Sequence, residues 1–190
     1  MTPEKTFDIE LGDADATRAF GLALAGVLRG GDLIILTGDL GAGKTTLTQG
    51  IGVGLGIRGQ VASPTFIIAR EHPSLGTGPA LVHVDAYRLG SLDEVDALDL
   101  DSSLDEVVTV VEWGSGLVER LAQDRLEITL RRPRGQLATA LVSDDGPEHT
   151  EDLILDAEVG IRRATVTAFG ARWAGVDLAA IIAPTVKDPA

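Results

Sequence analysis

Gly38-Asp39-Leu40-Gly41-Ala42-Gly43-Lys44-Thr45 satisfies the pattern G-x-x-x-x-G-K-[ST] in full. Glycines so spaced let backbone amides turn inward around a polyphosphate, and a following helix adds the positive end of its dipole. Lys44 would reach the β- and γ-phosphates, and the Thr45 hydroxyl would hold Mg²⁺. Lys44 is one of only three lysines in the chain, so its position does not follow from lysine abundance. The blander alternative is an ordinary Gly-rich strand-to-helix turn. It fits less well, because an apolar strand leads in and Thr46, Leu47, Ile51 and Leu55 continue at helical spacing.

Two carboxylates could complete such chemistry. Leu81-Val82-His83-Val84 and Val107-Val108-Thr109-Val110-Val111 read as buried strands and end in Asp85 and Glu112. Ligands of open parallel sheets sit outside the carboxyl ends of the strands, so a parallel arrangement brings both acids to the edge carrying Lys44 and Thr45. There they would hold the metal, directly or through water, and orient a nucleophilic water. Ser63-Pro64-Thr65-Phe66 lies where phosphate-loop proteins place a switch segment. Its Thr65 hydroxyl could contact Mg²⁺ or a γ-phosphate, although taken alone a Pro turn before a strand from Phe66 to Ala69 is the simpler account. Phe66, Tyr87 and Trp113 lie beside these residues, and core packing is their simplest role. His83, inside an apolar strand, reads as a satisfied core histidine. The glycines Gly54, Gly56 and Gly59 match G-x-G-x-x-G but follow a helix, so they read as a helix terminus and loop rather than a dinucleotide site.

The elements that must position these residues alternate. A short strand from Phe7 to Leu11 precedes an amphipathic helix marked by Ala16, Phe20, Leu24 and Val27/Leu28, capped by Asp13 or Asp15 and ended by Gly30-Gly31. Leu33-Ile34-Ile35-Leu36 is a strand of the type covered on both faces. Ser91 with Glu94, and Ser103 with Glu106, fit capping boxes, and a further helix is expected over about 116–122. Beyond residue 125, Leu126–Leu130, Thr139–Val142 and Ala164–Ala168 read as strands without helices between them, an antiparallel extension of the sheet. The expected architecture is an α/β, three-layer, phosphate-loop NTPase-like fold with a central, mostly parallel sheet. It forms one domain over 1–183, with a frayed tail at 184–190.

Together, the phosphate loop, Ser63-Pro64-Thr65-Phe66, His83-Val84-Asp85-Ala86-Tyr87-Arg88-Leu89 and Glu112-Trp113-Gly114 resemble the ordered motif set of the TsaE (YjeE) family. The resemblance runs over about 7–130 and resumes at Arg162-Arg163-Ala164 through Trp173. It implies a Mg²⁺-dependent ATPase, slow alone, that supports turnover of TsaB–TsaD in tRNA threonylcarbamoyladenosine modification. Carried over by motif, Thr45 and Glu112 are Mg²⁺ ligands. Lys44 and the loop from Gly38 through Asp39, Leu40, Gly41, Ala42 and Gly43 to Thr46 hold phosphates. Thr65 is the switch threonine, Asp85 orients water or reaches the cation through it, and Trp113 is a supporting aromatic. Two departures stand out: about 30 residues, roughly 132–160, are inserted in what is usually a compact hairpin, and Ala86 stands where the family often has a larger apolar residue.

Composition bounds the rest. The 190 residues include no Cys, so disulfide frameworks and Cys-type zinc sites are excluded. A chain of this length buries about 70% of the surface it would expose unfolded and needs no staple. No apolar run of membrane-spanning length and no secretory signal are evident, which points to a cytoplasmic protein. The net charge of −13 disfavours unaided binding to DNA or RNA, so tRNA would be reached only through TsaB–TsaD. That charge is concentrated, with seven acids and no Lys or Arg in 93–106 and the same in 144–158. A GTPase reading lacks the N/T-K-x-D element. A small-molecule kinase reading would use Arg131, Arg132 and Arg134 as a lid, and a nucleotide-gated interaction module would bind ATP with little hydrolysis.

Overall fold

The computed structural model describes residues 5–64, 68–100, 103–132 and 159–182. Thr65, Phe66, Arg134, the strand expected at Thr139–Val142, most of the inserted segment and the tail lie outside the described residues.

Among the described residues, seven strands form one sheet: β1 (Lys5–Asp13), β2 (Leu33–Thr37), β3 (Ala69–His72), β4 (Leu81–Asp85), β5 (Val108–Glu112), β6 (Arg125–Arg131) and β7 (Val159–Phe169). Their spatial order is β1-β7-β6-β2-β5-β4-β3. The four strands β6, β2, β5 and β4 run parallel, whereas β7, β1 and β3 pair antiparallel. The sheet is therefore mixed. One expectation needs refining: β6 pairs antiparallel with β7 as expected, but it joins the sheet in parallel beside β2, Leu33 opposite Arg125 through Thr37 opposite Thr129. The chain between β5 and β6 returns to the starting edge of the sheet, so β6 can only re-enter in the same direction.

That return segment holds no α-helix. A 3-10 turn at Glu119–Leu121 replaces the helix expected over 116–122. Gly116 takes a left-handed φ of +83°, and Leu117 N–H bonds the Gly114 carbonyl three residues back, so the chain turns tightly instead of starting a regular helix. Ser103 likewise opens only a turn, its carbonyl accepting from Glu106 N–H at 3.0 Å, because β5 begins at Val108 and leaves no room for four-residue helical bonds. The Ser91 cap forms as expected: its side chain accepts from Glu94 N–H at the start of α3 (Leu92–Asp96).

α1 (Ala14–Ala25) is capped by Asp13, whose carboxylate accepts from Ala16 N–H at 2.7 Å. It stops before Gly30-Gly31, because from Gly26 onward the bonds shorten to three-residue spacing. Its buried face, Thr17, Phe20, Gly21 and Leu24, meets α2 (Lys44–Leu55). The approach is close: a Cβ on Gly21 would lie 2.4 Å from the Leu47 carbonyl oxygen, and one on Gly50 2.1 Å from that of Arg18. Gly54 belongs to the same contact, while Gly56 caps α2 in the left-handed conformation, so the G-x-G-x-x-G match is a helix end. The fourth helix, α4 (Leu178–Ile182), adds Leu178 to this layer.

Alternation along the strands builds two cores. Ile34, Leu36, Leu81, Val108 and Val110 pack with α1 and α2, and Leu33, Ile35, Val82, Val84 and Val111 pack on the opposite face with Val95 and Val118. Among the described residues, no helix is long and apolar enough to cross a membrane.

Candidate functional site

Register places the candidate acids on one rung. Leu36 of β2 pairs with Glu112 of β5, and Glu112 pairs with Asp85 of β4. Because Leu36 faces α2, strand alternation turns both carboxylates toward the same helix. They are nearly buried, at 5% exposed for Asp85 and 3% for Glu112.

β2 runs directly into the glycine loop, which enters α2 with Gly43 as its N-cap and no side-chain cap bond. Gly38, Gly41 and Gly43 have φ of +146°, +75° and +108°. At Gly38 a side chain is excluded outright, since its Cβ would lie 2.2 Å from the Leu130 carbonyl oxygen. The helix start thus presents free backbone amides beside a cation.

That cation is Lys44, which is 5% exposed and folds back on the loop. Its Nζ donates to the carbonyls of Gly38 at 2.8 Å and Asp39 at 3.1 Å and sits 3.8 Å from the centre of the Trp113 ring. Burial pushes its pKa below the ordinary lysine value, opposed by the charges of Glu112, Asp85 and Asp39. The next residue, Thr45, donates its hydroxyl to Glu112 Oε1 at 2.8 Å, and His83 Nε2 lies 2.9 Å from the same oxygen. Asp85 Oδ1 accepts from Tyr87 N–H at 3.0 Å, and Oδ2 from the Ser63 hydroxyl at 3.4 Å. Trp113 follows with φ of +62°, its amide bonded to the Leu36 carbonyl and its ring 5.2 Å from that of Tyr87.

A cleft of about 370 Å³ opens over this arrangement, lined among others by Gly43, Lys44, Thr45, Asp85, Glu112 and Arg162. The structure thus brings together every described residue of the expected constellation. Thr65 is outside the described residues, but Ser63 reaches Asp85.

Sequence reasoning missed two contributors. His83 is fully buried and touches Glu112. Its signal was the two-residue spacing from Asp85, which puts both on one face of β4. Arg162 is 1% exposed and packs beside Gly43, with its Nε 3.2 Å from where a Cβ would stand. It occupies the inward register of β7 otherwise filled by Ala164, Val166 and Ala168, and an arginine in such a series is itself a signal. Arg131 and Arg132 instead line a separate groove with Arg163, Asp8 and Glu10, so they form no lid over Lys44.

Among the described residues no cluster of three or more His, Cys, Asp or Glu could hold a metal alone. A hard cation here would take the Thr45 hydroxyl and the Glu112 carboxylate, with phosphate oxygens and water completing its shell, a donor set suited to Mg²⁺.

The family model described as "Threonylcarbamoyl adenosine biosynthesis protein TsaE" matches residues 11–140. A Streptomyces coelicolor protein named tRNA threonylcarbamoyladenosine biosynthesis protein TsaE is 52% identical over 165 residues, covering 86% of this chain and 98% of its own. The Bacillus subtilis protein of the same name is 43% identical, covering 62% of this chain and 73% of its own. The crystal structure of Bacillus subtilis YdiB superposes with a TM-score of 0.62 at 29% identity, covering 97% of this chain and 98% of its own.

Proposed function

The chain belongs to the TsaE family of tRNA threonylcarbamoyladenosine biosynthesis proteins, and from that membership we propose that it is the family's Mg²⁺-dependent ATPase, working in the cytoplasm to support turnover of TsaB–TsaD. The observation that carries this reading is the Thr45–Glu112 bond at the end of the glycine loop. It joins a phosphate-loop hydroxyl to a carboxylate on the adjacent parallel strand.

The amides from Gly41 to Thr46 hold the phosphates, and Lys44 exchanges the Gly38 and Asp39 carbonyls for phosphate oxygens. Thr45 and Glu112 hold the cation. Mg²⁺, when bound, neutralises charge developing on the phosphoryl oxygens. Asp85, fixed by Tyr87 N–H and Ser63, orients water, and Thr65 serves as the switch threonine. The domain spans 1–183, with the insertion at about 132–160. tRNA is reached only through TsaB–TsaD, and neither DNA nor a membrane is a partner.

The test is ATP turnover by the chain alone, with TsaB–TsaD, and in Lys44→Ala or Glu112→Ala. Partner stimulation lost in both variants supports the reading, and turnover indifferent to TsaB–TsaD overturns it. A second reading, a nucleotide-gated module that hydrolyses little, uses the same surface. Leu40 and Tyr87 stand 93% and 66% exposed near the cleft, as residues awaiting a partner surface would. Binding of TsaB–TsaD that depends on ATP while turnover stays at background would select it.

A further inference from the structure

We infer that His83 is a positioning residue that fixes which oxygen of Glu112 faces Thr45 and which is left for the divalent cation. The inference rests on the ATP–Mg²⁺ reading above. Glu112 ends β5 and is gripped from two sides: Thr45 of α2 at 2.8 Å and His83 of β4 at 2.9 Å, both on Oε1. A hydroxyl that ligates a cation through its lone pairs must send its hydrogen elsewhere, and the Thr45 hydrogen goes to this oxygen. With Thr45 as the sole donor, the carboxylate can rotate, and Thr45 re-aims with it. A second donor, held by a different element, restrains that freedom and leaves Oε2 as the oxygen neither donor engages.

The ring's hydrogen-bond pattern agrees. His83 is 0% exposed, so it reaches neither solvent nor a nucleotide and can act only through Glu112. Its Nδ1 has no hydrogen-bond partner among the described residues. A hydrogen on Nδ1 would therefore be a buried, unbonded N–H, whereas the Nε2–H tautomer leaves only a bare acceptor there and aims its hydrogen at Oε1. Partners that orient a metal-binding side chain commonly change metal affinity about tenfold to a hundredfold when removed.

The experiment uses the full chain with a non-hydrolysable ATP analogue. Mn²⁺ affinity is read from the free-ion electron paramagnetic resonance signal, and nucleotide affinity is measured separately in EDTA. His83→Leu, which has no donor, should weaken Mn²⁺ binding about tenfold or more. Its metal-free nucleotide affinity should stay within about twofold, since Lys44 and the loop are untouched. His83→Gln, which keeps a donor near the Nε2 position, should recover most of the loss. Unchanged Mn²⁺ affinity in His83→Leu overturns the inference. So does an equal loss of metal-free nucleotide binding, or failure of His83→Gln to recover. Should His83→Leu not fold, nitrogen NMR of the unaltered chain decides: a hydrogen on Nε2 supports the role, and one on Nδ1 alone overturns it. Thr45→Ala separates the two readings, because if it leaves Mn²⁺ affinity intact the ATP–Mg²⁺ site itself is wrong.

Discussion

The Thr45 hydroxyl and the Glu112 carboxylate, 67 residues apart in the chain, meet at 2.8 Å where α2 begins and β5 ends. On the proposed ATPase reading that hydroxyl also faces the cation, so removing it weakens both the grip on Glu112 and the hold on Mg²⁺. On that proposed reading, Thr45→Ala should lower ATP turnover about tenfold to a hundredfold, while Thr45→Ser stays within severalfold of the parent. Steady-state phosphate release measures both. Equal losses in the two variants would mean that the methyl group, and not the hydroxyl, matters.

The loop glycines should differ in cost. Gly41 has φ of +75° with nothing within 4 Å of an added Cβ, so Gly41→Ala carries only a backbone penalty of about 1–2 kcal/mol. Gly38→Ala adds a collision with the Leu130 carbonyl at 2.2 Å. Overpacking of that kind brings about 1–3 kcal/mol more. Urea unfolding should rank Gly38→Ala as clearly the less stable.

Gly50 tests packing against propensity. In an isolated helix, alanine is favoured over glycine by about 1 kcal/mol. Here the new Cβ would lie 2.1 Å from the Arg18 carbonyl oxygen, and a backbone atom cannot swing aside as a side chain can. Gly50→Ala should destabilise by about 1–2 kcal/mol despite its better propensity. A gain in midpoint would show that α1 moves away freely.

Arg172 and Asp32 form a buried two-pronged pair, Nε to Oδ1 at 3.0 Å and Nη2 to Oδ2 at 2.9 Å, tying the chain after β7 to the start of β2. Removing one partner from such a pair strands the other charge and costs about 3–5 kcal/mol. Asp32→Ala should show this loss in thermal or urea unfolding. The double variant Asp32→Ala/Arg172→Met should lose less than the sum of the two single changes.

His72 makes stability pH-dependent. It is 2% exposed, and burial, aided by the charge of Arg70, lowers its pKa below the ordinary value of 6.5. Between the lowered folded value and 6.5 the unfolded chain holds more protons, so stability rises with pH there and is lost on acidification from 6.5 downward. The urea midpoint should fall as pH drops through this window, and His72→Gln should flatten the slope. An identical slope in the variant would place the dependence elsewhere.

The sequence by itself determined the pieces whose signals are local. A fixed pattern marked the loop from Gly38 to Thr45, unbroken apolar runs marked the central strands, and their last residues, Asp85 and Glu112, could be named before any pairing was known. Ser91 announced its cap, and the α1 cap was narrowed to Asp13 or Asp15, because capping joins residues three apart. Only the tertiary structure decided neighbours. That β6 runs parallel to β2, that β1 pairs with a strand about 160 positions away, and that His83 and Arg162 belong to the site all depend on strand order and register. The shortfall at 116–122 and Ser103 has the same origin, since the room left between strands outweighed local helical preference there. Periodicity records which side of its own element a residue faces. Which other element meets that side is settled by burial summed over the whole chain.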